Sequence, residues 1–184
     1  MSNHVNPVVG VVGLGAMGLG SATAILEAGL TVIGCDVSAH ARDAFTSRGG
    51  RCVATPAELA DQCDIVVLLV VNADQVESVL FGAAGLASRL APGSLVMQCA
   101  TVAPSYAKTL GMRLTEAGLL MLDAPVSGGV AKAATGQLSV MSSGEPSAYT
   151  KGQAVLDAMA ATVYRLGDAP GTGSSVKLLN QHLA

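Results

Sequence analysis

Val8 to Val12 is a short aliphatic run with no polar residue, and it passes directly into Gly13-Leu14-Gly15-Ala16-Met17-Gly18. A run of that kind suits a strand buried on both faces of a parallel sheet. Residues 17–28 then carry a helical pattern closed by Gly29. Strand, glycine turn and helix in that order are the setting in which G-x-G-x-x-G has a mechanism. Gly13 permits the tight turn, Gly15 lets the main chain approach a pyrophosphate, and Gly18 lets the helix lie close to the strand. The free N–H groups and the helix dipole then face the phosphates.

The rest of the chain repeats the alternation. Strands are expected at 31–35, around Cys52 and Val53, and at 65–70, 95–98, 119–122, 137–141 and 162–166. Helices are expected at 38–48, from Pro56, and at 74–80, 85–90, 104–117 and 146–161. Residues 123–136 read as a loop. A glycine-rich link at 167–173 opens a last helix. The expected fold is therefore α/β, a Rossmann-type doubly wound and mainly parallel sheet. Composition agrees: 51% of residues are apolar, 12% charged and 3% aromatic, with no Trp, which suits small aliphatic packing.

Asp36 stands at the end of the second strand, 18 residues beyond Gly18. A carboxylate there accepts hydrogen bonds from both adenosine ribose hydroxyls and repels a 2′-phosphate, which selects NAD over NADP. A helix N-cap or turn acid is the plain alternative, and Arg42 is the nearby cation that would blur the preference. The expected cofactor contacts are Gly13, Leu14, Gly15, Ala16, Met17, Gly18, Cys35, Asp36, Val37, Val70, Val71 and Thr101.

Other classes fit poorly. A formal charge of -3 gives no basic footprint for nucleic acid or anionic membranes. The longest aliphatic run, 65–71, is far short of the roughly 20 residues that cross a bilayer. Cys35, Cys52, Cys63 and Cys99 lack C-x-x-C spacing and read as buried free thiols, and no metal site is expected. His4, His40 and His182 are scattered and read as solvated. The polar N-terminus has no basic-then-apolar leader pattern, so a cytoplasmic protein is expected.

Four segments together resemble the 3-hydroxyisobutyrate dehydrogenase family of β-hydroxyacid dehydrogenases. They are Gly13–Gly18, Cys99-Ala-Thr-Val-Ala-Pro104, Asp123-Ala-Pro-Val-Ser-Gly-Gly129, and Gly171-Thr-Gly-Ser-Ser-Val-Lys-Leu-Leu-Asn180. The resemblance covers nearly the whole chain. It implies that Thr101 lies near the nicotinamide, that Ser127, Gly128 and Gly129 hold a substrate carboxylate, that Asn180 holds substrate, and that Lys177 is the catalytic acid/base. Taken without the resemblance, Lys177 reads as a solvated helical lysine, and Ser-Gly-Gly as ordinary turn chemistry. Two departures stand out: Ala100 lacks the family's hydroxyl, and Val70-Val71-Asn72 replaces a common Leu-Pro. Imine reductases share the fold but generally lack the lysine.

The implied reaction is NAD-dependent oxidation of a small hydroxy acid. The stretch 127–144 looks most like the branch that acts on L-threonate, with 3-hydroxyisobutyrate and tartronate semialdehyde as alternatives. The implied organisation is a NAD-binding domain over 1–167 and the start of an interdomain helix over 168–184, with the family's all-helical C-terminal domain absent. A dinucleotide-binding module with little or no turnover is the expectation from a different class. Val176, Leu179 and Leu183 form an apolar stripe that wants a packing surface. A homo-oligomer is one way to cover it.

Overall fold

A computed structural model describes residues 7–183. Its main sheet has six strands: β1 (Val8–Val12), β2 (Thr31–Cys35), β3 (Arg51–Val53), β4 (Ile65–Leu68), β5 (Leu95–Gln98) and β6 (Leu120–Asp123). Their spatial order is β3-β2-β1-β4-β5-β6, and every pair is parallel. The strand order reverses between β1 and β4, so the loops leaving their C-terminal ends diverge there and open a crevice.

Residue parity along the strands divides the core. Val9, Val11, Ile65, Val67, Leu95 and Met97 bury on one face of the sheet. Val12, Val66, Leu68 and Val96 bury on the other. The first face is covered by α1 (Ala16–Glu27), α2 (Ala39–Thr46), α6 (Gly129–Ala134) and α7 (Pro146–Met159), through Ile25, Phe45, Ala133 and Val155. The second is covered by α3 (Pro56–Ala60), α4 (Ala73–Phe81) and α5 (Pro104–Glu116), through Leu59, Leu80 and Leu110. The doubly wound expectation holds.

Two expectations need correction. Residues 123–136 are not a loop: Val126–Ser127 forms β7 and Gly129–Ala134 forms α6. β7 pairs antiparallel with β8 (Leu138–Ser142), which pairs parallel with β9 (Ala160–Arg165), giving a second, three-stranded sheet. Residues 85–90 are turns rather than a helix. Gly82 ends α4, and main-chain bonds such as Leu86 N–H to Val79 C=O and Ala87 N–H to Leu80 C=O fold the segment back on that helix. Leu86 and Leu90 are buried there, which accounts for their helical spacing.

The last helix, α8, spans Thr172–Leu183. Its buried positions are Gly173, Ser174 and Lys177, not the apolar stripe. Leu179 and Leu183 are 63% and 88% exposed. The small residues face the body because the helix begins hard against β6 and β8, where a bulky side chain would not fit: a Cβ on Gly173 would stand 2.5 Å from the Met141 carbonyl oxygen.

Candidate functional site

Gly13 takes φ +91°, a left-handed conformation that a Cβ would strain, and its N–H donates to the Cys35 carbonyl at 2.9 Å. The chain therefore turns sharply off β1 and enters α1 through Gly15. No side chain caps this end of α1, and no acidic residue lies in its first turn. Its first N–H groups thus lack partners within the helix and face the crevice. A Cβ on Gly15 would meet nothing within 4 Å, so the space over the helix end is open. Gly18 is the opposite case, since a Cβ there would stand 1.7 Å from the Gly13 carbonyl oxygen. An open, positively polarised helix end is what a pyrophosphate requires.

One half of the crevice is a cavity of about 340 Å³ lined by Gly13, Gly15, Cys35, Asp36, Val37, Val70 and Val71, among others. Asp36 braces the glycine loop: Oδ2 accepts from the Leu14 N–H at 2.7 Å and Oδ1 from the Ser38 N–H at 2.8 Å. Each oxygen keeps a second lone pair able to accept a further hydrogen bond. Arg42 sits behind it, donating from Nη1 to the carbonyls of Asp36 and Val37 at 2.7 and 3.1 Å. Leu14 contributes only its main chain here, because its side chain is in the core. Val37 and Val71 are exposed at the two sides of the opening.

The departure at residues 70–72 has a local explanation. Asn72 caps α4 by accepting from the Gln75 N–H at 3.0 Å, and the Gln75 side chain accepts from the Val71 N–H at 2.8 Å. Side-chain hydrogen bonds thus hold the loop where a proline is absent. Gln98 does the same for the segment before Thr101. It is fully buried and exchanges two bonds with the Ala100 main chain, at 2.6 and 2.9 Å. Sequence reasoning missed Gln98, since nothing in its neighbours marks it.

The second half of the crevice is a cleft of about 500 Å³ that brings Gly15–Gly18, Leu69–Val71, Cys99–Thr101, Val126–Gly129 and Lys177 together. Ser127 is held by pairing with Ser139 across the second sheet. Lys177 is 8% exposed, and burial pulls its ammonium pKa below the usual lysine value. Among the described residues the one salt bridge is Glu77–Arg113, so no carboxylate pairs with Lys177 to restore it. Asn180 is exposed and lines a neighbouring cavity of about 380 Å³ with Lys132, Ser139 and Tyr164. That cavity and the cleft share Ser127 and Gly128.

Cys35 and Cys99 border the two halves. Burial pushes both thiols up to about 12. All four cysteines are free. His40 and His182 are exposed, whereas His4 lies outside the described residues. Among the described residues no three metal-binding side chains converge, and no helix is long and apolar enough to cross a membrane.

A six-stranded parallel sheet with a bare helix end at its switch point and an acid at the end of the neighbouring strand defines a dinucleotide-binding α/β domain. Residues 8–167 match the family model described as the NAD binding domain of 6-phosphogluconate dehydrogenase, and the chain belongs to that family. An L-threonate dehydrogenase from Cupriavidus necator is 54% identical over 176 residues, covering 96% of this chain and 59% of the relative. A crystal structure of 3-hydroxyisobutyrate dehydrogenase from Salmonella typhimurium has TM-score 0.93 at 45% identity, covering 97% of this chain and 62% of that one. The Mycobacterium tuberculosis 3-hydroxyisobutyrate dehydrogenase, solved with L-serine, has TM-score 0.90 at 26% identity and is covered to 60%. The chain thus spans about three fifths of the length of these relatives.

Proposed function

We propose that this chain is the cofactor-binding part, with the acid/base lysine, of a NAD-dependent hydroxy-acid dehydrogenase that oxidises L-threonate to its 2-oxo acid. The observation that carries the reading is the buried amine of Lys177 in the same cleft as the open α1 end and the Ser127–Gly129 loop. The identity of 54% to an L-threonate dehydrogenase supports the substrate. Residues 1–167 act as the NAD domain, and 168–184 begin the helix that joins it to the remainder of such an enzyme.

Gly13–Gly18 receive the pyrophosphate, Asp36 the adenosine ribose, and Val70, Val71 and Thr101 border the path to the nicotinamide. Bound NAD⁺ supplies the hydride acceptor. Lys177, neutral at the start, takes the hydroxyl proton as the carbinol carbon gives up its hydride; in reverse the ammonium returns that proton to the forming alkoxide. A lowered lysine pKa favours the neutral amine this requires. Ser127 and the N–H groups of Gly128 and Gly129 bind the substrate carboxylate, with Asn180 at its margin. The contribution of these groups is positioning of the carbinol carbon.

A panel of L-threonate, 3-hydroxyisobutyrate and L-serine, followed by NADH absorbance, tests the substrate in a polypeptide extended to the length of the relatives. A kcat/KM for L-threonate at least tenfold above the others is expected. Equal or better use of another acid overturns the L-threonate assignment. The 184-residue chain itself is expected to bind NADH with little or no turnover.

Asp36→Asn tests the cofactor preference. The substitution keeps the size of the side chain and removes the charge. Bonds to a charged acceptor contribute about 1.5–3 kcal/mol, so the NAD:NADP affinity ratio is expected to fall roughly ten- to a hundredfold. An unchanged ratio in titrations with both cofactors removes Asp36 from the ribose site.

A further inference from the structure

Asp123, at the end of β6, is fully buried and forms no salt bridge. Its carboxylate is instead surrounded by donors from the start of α8. Oδ2 accepts from the main-chain N–H of Gly171 and of Ser174, both at 2.9 Å. Oδ1 accepts from the Ser174 hydroxyl at 2.7 Å. Ser143, also fully buried, donates to Oδ2 at 3.3 Å and accepts from the Gly173 N–H at 3.0 Å. One carboxylate thereby satisfies the helix end that otherwise leaves N–H groups without partners, and its charge favours that end of the helix dipole. Gly173 makes the approach feasible, since a Cβ there would stand 2.9 Å from the Asp123 carbonyl oxygen.

We propose that Asp123 is a positioning residue for Lys177: its buried carboxylate fixes the first turn of α8 to the strand leading into the Ser127–Gly129 loop. Lys177 lies three residues beyond Ser174, on the same face of the helix. Only Ala124, Pro125 and Val126 separate Asp123 from Ser127. Asp123 is thereby the direct tie between the start of α8 and the strand that leads into the carboxylate-binding loop, with Ser143 a second tie through the Gly173 N–H, and Ser143 and Ser174 hold the Asp123 side chain in one orientation. The inference rests on the acid/base reading of Lys177 but concerns its placement, which is measurable without turnover.

The test uses the 184-residue chain. Lys177 is labelled with an amine-directed acylating reagent across a range of pH and read by mass spectrometry, in the wild type and in Asp123→Ala, Asp123→Asn and Ser174→Ala. Asp123 is the titratable group on β6 and β8 has none, while α5 offers Tyr106, Lys108, Arg113 and Glu116. Tyr106 and Arg113 are bonded to Glu77. Losing a nearby negative charge alone would lower the lysine pKa. Losing the anchor hydrates the amine and raises it, so the sign separates the two effects.

The labelling midpoint is expected to move up in Asp123→Ala and less in Asp123→Asn, which keeps one acceptor oxygen, and in Ser174→Ala. NADH affinity is expected to stay within about threefold, since the α1 end is built on a different strand. If Asp123→Ala does not fold, the other two variants carry the test. A folded variant set with a midpoint that is unchanged or moves down overturns the proposal. Wild-type turnover in Lys177→Ala would instead remove the acid/base reading, leaving the measured placement intact.

Discussion

Replacing Gly18 by Ala is expected to destabilise the domain by about 3 kcal/mol or more and to abolish NADH binding. The new Cβ would overlap the Gly13 carbonyl oxygen, and that contact is between two stretches of main chain. A flexible side chain could turn aside, but here α1 must move away from β1, and overpacking that displaces backbone reaches the upper end of its usual cost of about 1–3 kcal/mol. The motion would also reposition the N–H groups of Ala16 and Met17. Chemical denaturation and NADH fluorescence measure the two effects. Gly15→Ala is the matched control: its Cβ meets no protein atom within 4 Å, so stability should hold while cofactor affinity falls. Wild-type stability in Gly18→Ala, or wild-type affinity in Gly15→Ala, would refute the geometry of the glycine loop as the phosphate site.

Lys177→Ala is expected to lower kcat by roughly a hundredfold to ten-thousandfold in a polypeptide extended to the length of the relatives, the scale of general acid–base catalysis. NADH affinity should be unchanged. The pH dependence gives an independent check. Burial places the Lys177 pKa below the usual lysine value, so the oxidation rate should rise with pH through a midpoint below that value, as the ammonium gives way to the amine. In the variant that limb should vanish. Retained turnover with the same limb would assign the proton to another group.

Much of the frame could be read from sequence because each signal was local. Val8–Val12 and Gly13–Gly18 lie side by side, and an aliphatic run before glycines leaves few alternatives to a buried strand and tight turn. Lys177, by contrast, is an ordinary helical lysine by spacing; only the resemblance of its surrounding segment raised it, and the fold then buried it. The second sheet escaped notice because its third strand, β7, has only two residues, too few for any alternation; the strands near 137–141 and 162–166 were expected, but nothing local separates them from the main sheet. Asp123 escaped for a different reason. Its partners are 48 and 51 positions away, and no local pattern marks a carboxylate that caps a distant helix. Residues 85–90 misled because apolar residues four apart look the same in a helix and in turns packed on one.

The buried thiols have a practical meaning beyond packing. Cys35, Cys63 and Cys99 are each at most 7% exposed, and burial pushes their pKa values up to about 12, so at neutral pH each stays a thiol rather than the reactive thiolate. An alkylating reagent reaches them only when the structure opens. Cys35 ends β2, Cys63 lies in the turn that precedes β4 and Cys99 follows β5, and together they form a built-in clock for opening events: the alkylation rate of each reports how often its part of the sheet comes apart. A cofactor that binds only the folded state lowers global unfolding by a mass-action factor, so a thiol exposed by global unfolding should be protected by NADH, whereas one exposed by a local opening that leaves the crevice intact should not.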